Sequence, residues 1–173
     1  MSLAALQEAR RSEEEAIAML LCHLGDYAVW PEPQVEDARK PFIIGVIGDF
    51  PTRRELLRQT ANKRVHGRKI EIVWLESLKP TTLLACQILY ICDSEQDRLR
   101  EILSMCRSHP ILTVAGSEGF AREGVMLDFF VKESRLNLAV NLTACRDAGI
   151  QLSPLFLAKM RAQVVAGSDR RLP

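Results

Sequence analysis

The sequence predicts an α/β domain: a mostly parallel sheet with helices on both faces and an antiparallel hairpin at its carboxyl-terminal edge. Three observations predict it. Short, β-branched apolar runs alternate with helical stretches along the chain, which is the rhythm of a parallel sheet. Two of those runs, Phe42-Ile43-Ile44-Gly45-Val46-Ile47-Gly48 and Gln87-Ile88-Leu89-Tyr90-Ile91-Cys92, present almost no polar face. Strands buried on both sides read that way. Late in the chain, strand-like runs over 125–131 and 136–140 are separated by the polar turn around Lys132-Glu133-Ser134, a hairpin signal.

In chain order, Ser12 followed by Glu15 reads as a capping box, in which each residue satisfies a backbone N–H at a helix start. Ile17, Leu20, Leu21, Leu24 and Ala28 then form one apolar stripe, and Pro31 and Pro33 end the helix. Residues 32–40 read as a loop. The strand over 42–48 is followed by a short helix over 51–60, opened by Pro51. Lys69 to Leu75 alternates as a strand should. Ser94 is expected to cap a helix carrying Leu99, Ile102, Leu103 and Cys106, which His109-Pro110 closes. Ile111 to Val114 is a further strand. After the hairpin, Asn141 caps a short helix ended by Gly149, and Ser153-Pro154 opens a last helix with Phe156, Leu157, Met160 and Val164. One domain over residues 12–166 is expected, with flexible ends at 1–11 and 167–173.

Composition narrows the function. The chain has 173 residues, 47% hydrophobic and 26% charged, with Lys+Arg 23 against Asp+Glu 22 and a net charge of +1. That balance argues against a dedicated nucleic-acid binder. No apolar run reaches the roughly 18 residues of a membrane span, so no direct membrane insertion is expected. The amino terminus is not a signal peptide, because Leu3 to Leu6 is short and Glu13-Glu14-Glu15 follows. Five cysteines, Cys22, Cys86, Cys92, Cys106 and Cys145, cannot all pair within the chain. Most sit among apolar residues and read as small buried hydrophobes, with one disulfide left open.

Catalytic and cofactor motifs are missing. Gly45-Val46-Ile47-Gly48 has the wrong spacing for a dinucleotide fingerprint, and no Walker lysine follows a Gly-rich loop. His23, His66 and His109 lie far apart and no C-x-x-C exists, so no metal site is expected. Ser117 stands in Gly-Ser-Glu-Gly with no histidine after it, which removes the Ser–Asp–His order of hydrolases. The basic stretch Lys63, Arg64, His66, Arg68, Lys69 reads as a solvated loop, with a phosphate or acidic partner as the alternative. An open parallel sheet binds ligands outside the carboxyl ends of its strands. Those ends carry Gly48-Asp49, Asp93-Ser94 and Gly116-Ser117-Glu118-Gly119.

Two families are resembled. Asp49, Asp93, Thr113 or Ser117, and Lys132, with the strand His109-Pro110-Ile111-Leu112-Thr113, resemble the acidic cluster, Ser/Thr and Lys of phospho-receiver domains. The second resemblance covers more of the chain. Tyr27-Ala28-Val29-Trp30-Pro31, Ile44-Gly45-Val46-Ile47-Gly48-Asp49, Val65-His66-Gly67-Arg68-Lys69-Ile70 and Cys86-Gln87-Ile88-Leu89-Tyr90-Ile91 follow one another in order. Leu112-Thr113-Val114 with Glu118-Gly119-Phe120-Ala121, then Asn141 with Ala148-Gly149-Ile150, complete the set. From about residue 13 to about 165 the chain resembles the YfiR-like family of small periplasmic proteins.

That resemblance implies a regulator that is not an enzyme and holds no cofactor. It implies that the chain represses an inner-membrane diguanylate cyclase by contact with that enzyme's periplasmic part, controlling cyclic di-GMP and biofilm formation. It also implies a periplasmic location, with an export signal absent from this chain, and a homodimer. Related domains serve as sensor modules of membrane histidine kinases, so the alternatives are a degenerate phospho-receiver domain or a small-ligand sensor module of such a kinase. The candidate contact residues are Trp30, Asp49, Arg68, Ser117, Glu118 and Asn141.

Overall fold

The computed structural model describes residues 3–31 and 39–166, the side chains of 3–12 and 14 excepted. The tail expected from Gly167, most of the loop expected over 32–40 and the side chain of Ser12 lie outside the described residues.

The first helix, α1 (Leu3–Tyr27), begins nine residues before Ser12, so the expected capping box falls inside a continuing helix. Its stripe is buried as the spacing requires: Ile17, Leu21 and Leu24 are 4% exposed or less. After the two-residue β1 (Ala28–Val29) comes the central strand β2 (Phe42–Ile47), then α2 (Arg53–Thr60). A small hairpin follows, β3 (Arg64–Val65) and β4 (Arg68–Leu75). It turns on His66 and Gly67, whose φ angles are 49° and 79°. Two left-handed residues make the turn whose twist matches paired strands. The basic stretch expected as a loop is therefore a tight turn between strands.

Next come α3 (Pro80–Leu83), β5 (Ile88–Ile91), a 3₁₀ turn (Asp93–Arg98), α4 (Leu99–Cys106), β6 (Leu112–Ala115) and α5 (Phe120–Glu123). The hairpin is β7 (Leu127–Lys132) and β8 (Arg135–Val140), turning on Glu133 and Ser134 at φ 53° and 58°. The chain closes with α6 (Leu142–Asp147), β9 (Gln151–Leu152), α7 (Pro154–Lys159) and β10 (Gln163–Val164). Val164, expected in the last helix, lies in β10.

The sheet has eight strands in the order β10-β8-β7-β6-β5-β2-β4-β3. Within it β4, β2, β5, β6 and β7 are mutually parallel, and β7 with β8 is antiparallel, as expected. One addition is that β10 pairs in parallel outside β8. A separate two-stranded ribbon joins β1 to β9. Strand period two divides the core. Ile44, Val46, Ile88, Tyr90, Leu112 and Val114 face a cluster with the α1 residues Ile17, Leu21 and Leu24. Ile47, Leu89, Ile91 and Ala115 face a second cluster with Leu83, Leu99, Ile102 and Cys106. Helices therefore cover both faces, which is why the strands carry apolar residues on both.

Candidate binding crevice at the strand ends

The parallel strands run β4-β2-β5-β6-β7 in space, so the order reverses between β2 and β5. Loops leaving neighbouring strands diverge at such a reversal and open a crevice at the carboxyl ends. A cavity of about 320 Å³ lies there. Asp49 and Phe50 follow β2, Cys92 and Asp93 follow β5, Gly116 follows β6, and Glu13 and Ile17 of α1 form a wall.

Local hydrogen bonds fix the rim. The Asp49 N–H donates to Ser94 Oγ at 2.9 Å, tying the β2 loop to the β5 loop. This corrects the expected role of Ser94. It caps no helix, because a 3₁₀ turn intervenes and α4 starts behind Arg98 with no side-chain cap. The Ser117 hydroxyl donates to Asp93 Oδ1, tying the β6 loop to the same point. Asp49 and Asp93 are both exposed. Behind the loop, Asp128 is wholly buried. Its Oδ2 accepts from the N–H groups of Gly119 at 3.0 Å and Ala121 at 3.4 Å, while Oδ1 has no partner among the described residues. Burial pushes its carboxyl up to about 6, against the pull of those backbone donors.

The sequence-derived candidates separate into two groups. Asp49 lines the crevice, and Ser117 is bonded to Asp93, which also lines it. Glu118 stands on the neighbouring loop, exposed and paired with Lys132 at 2.9 Å. The other three are structural. Trp30 is 4% exposed, packs edge-on against Phe42 with ring centroids 5.3 Å apart, and its indole N–H donates to the Gln87 carbonyl. That burial removes it as a surface anchor. Arg68, 5% exposed, donates to the carbonyls of Lys40 and Pro41. Asn141 caps α6 by accepting from the Ala144 N–H at 3.0 Å, and its amide donates to the Ala121 carbonyl.

Sequence reasoning missed Tyr90, Phe50 and Asp128. A lone carboxylate inside the apolar run 125–131 was the available signal for Asp128. Tyr90 reads as one more core residue of its strand, and only the strand order shows that it lies beside the crevice. All five cysteines are buried free thiols. Burial pushes Cys22 and Cys86 up to about 11, and Cys92, Cys106 and Cys145 up to about 12. Such thiols are poor nucleophiles. Among the described residues no three His, Cys, Asp or Glu side chains converge as metal ligands.

The YfiR/HmsC-like family model matches residues 14–158. The chain belongs to that family. No curated protein matches the chain. Among solved structures it is similar to a conserved domain protein from Vibrio cholerae O1 biovar El Tor, at 15% identity and a TM-score of 0.50. The match covers 70% of this chain and 54% of that one, so this YfiR/HmsC-like chain spans about half the length of its structural neighbour. At that identity the likeness speaks for the fold alone.

Proposed function

We propose that the chain is a periplasmic regulatory domain that binds and represses the periplasmic part of an inner-membrane diguanylate cyclase, setting cyclic di-GMP level and biofilm formation. The family match over residues 14–158 is the observation that carries this reading. The chemistry of the chain agrees with it. The thiols are buried, the Ser117 hydroxyl is committed to Asp93, and Lys132 is committed to Glu118. What remains open to solvent suits binding. Repression would work by population shift: the chain binds the inactive conformation of the cyclase more tightly, and that difference in affinity sets the effect. The partner-bound form is expected to be a homodimer.

The test is co-purification of the chain with the periplasmic domain of a cyclase encoded beside it, followed by titration. A complex in the micromolar range, and lower cyclase activity when the chain is co-expressed, are expected. No complex at about 100 μM of each protein would overturn the proposal.

A second reading is favoured by one observation: Asp49, Asp93 and Ser117 gather at the switch point, as a phospho-receiver requires. Incubation with acetyl phosphate and Mg²⁺ separates the two. Labelling that Asp93→Asn abolishes would favour the receiver.

A further inference from the structure

The crevice between β2 and β5 has three properties that converge on one ligand chemistry. The first is charge. Asp49 and Asp93 stand at its mouth, and Glu13 lies on the wall made by α1. Among the described residues, Arg53 is the cation whose field reaches the adjoining Cys92, and its guanidinium lies over the Trp74 ring, 4.5 Å from the centroid.

The second property is a buried polar group directed inward. Tyr90 lines the crevice and is only 5% exposed. No hydrogen-bond partner for its hydroxyl is found among the described residues. The hydroxyl lies against Gly116, also on the lining, where an added Cβ would collide with it. Glycine at 116 therefore keeps the space the hydroxyl occupies. The carboxylates whose charge reaches that hydroxyl are Asp93, Glu13 and Asp128. Among the described residues the buried side-chain atoms without a partner are Thr52 Oγ1 and Asp128 Oδ1, so the Tyr90 oxygen opens onto the crevice, where a ligand donor can take the place of water.

The third property is the shape of the interior. The cavity, about 320 Å³, also exposes Ile17 and Phe50, and the Phe50 ring meets Tyr90 edge-on at 5.4 Å between centroids. An apolar floor with a few convergent polar groups at that volume is what small-molecule sites present.

We propose that this crevice binds a small organic ammonium, with its nitrogen between Asp49 and Asp93 and donating to the Tyr90 hydroxyl, and its apolar body against Phe50 and Ile17. The nitrogen replaces water as donor to both carboxylates and to the phenol oxygen. An ammonium has the three N–H groups this requires. Carboxylates, phosphates and neutral alcohols of the same shape are rejected, because each leaves the two aspartates facing an anion or an incomplete donor set.

The test is calorimetric titration of the isolated chain with 2-phenylethylamine at neutral pH and low salt. 3-Phenylpropionate and 2-phenylethanol serve as the matched anion and neutral probes. No cyclase is present, so the result is independent of the partner reading above. Saturable one-site binding of the amine is expected, with the two other probes at least about tenfold weaker. Asp49→Asn and Asp93→Asn should each weaken the amine by about tenfold. Both positions are exposed, so the variants are expected to keep the wild-type melting temperature. Amide chemical-shift changes on wild-type chain, clustered at Phe50, Asp93 and Gly116, give a readout that needs no variant. Equal binding of anion and amine, shift changes elsewhere, unchanged affinity in both aspartate variants, or no heat from the amine would each overturn the assignment.

Discussion

At their amino ends, β2 and β5 are closed by Trp30, Arg68 and Gln87; at their carboxyl ends, Asp49 and Asp93 face solvent. The closed end satisfies itself. The Ile43 N–H donates to Gln87 Oε1 at 2.7 Å, Arg68 donates to the carbonyls of Lys40 and Pro41, and the Trp30 indole donates to the Gln87 carbonyl. Its three side chains are all buried. The open end spends only its backbone and rim groups on the fold, through Asp49 N–H to Ser94 and Ser117 to Asp93. Buried polar groups that find all their partners stabilise one structure. Polar groups left facing a crevice are available to another molecule. The lesson is that a residue's chemistry does not say which of these it does: an aspartate and an arginine at opposite ends of neighbouring strands have opposite uses.

Substitutions can break this contrast. Trp30→Ala should have the largest effect, lowering unfolding free energy by about 3–5 kcal/mol as a large buried aromatic is removed. Urea denaturation followed by circular dichroism measures it. A small loss here, with partner binding abolished, would move Trp30 to the recognition surface and end the contrast. Arg68→Met should follow at about 2–3 kcal/mol, because two carbonyls lose a charged donor; the same denaturation curves report it.

The open end is expected to show itself in pH instead. Asp128 titrates at about 6 in the folded chain against 3.8 for an unperturbed carboxyl. The folded state therefore holds the proton more tightly. The stability this gives is complete below pH about 4 and is lost as pH rises through about 6, on the order of 2–3 kcal/mol. Asp128→Asn should flatten that window while leaving the tryptophan fluorescence spectrum unchanged, and a slope that survives the substitution would assign it to another group. The smallest effect is expected for Ser94→Ala, about 1 kcal/mol from the lost Asp49 N–H acceptor. It sharpens the contrast if amine or partner binding falls more than stability does.

Much of this fold can be read in the sequence, because the signals are local and periodic. The apolar run of β2, the hairpin around Glu133-Ser134 and the caps at Asn141 and Ser153 all stand where their patterns place them. What could not be read depends on distant residues. Ser12 and Ser94 have good cap chemistry, but the chain continues as helix before the first, and the second is taken by Asp49, forty-five residues away. The strands β1, β9 and β10 have two residues each, too few for a period. The site divides the same way. Asp49 and Ser117 follow from the strand-end rule. Trp30 and Arg68 look like surface anchors until their carbonyl partners are seen, and Tyr90 looks like core until the strand order places it.

The five buried thiols have a consequence for how the chain matures. Thiol exchange needs an accessible thiolate, and a folded chain with every cysteine covered and pushed to about 11 or 12 offers none. The nascent chain is different, since all five sulfurs are then open to oxidants. In an oxidising compartment maturation becomes a race in which collapse onto the sheet must outrun mispairing. A chain that loses it would be trapped by wrong covalent links.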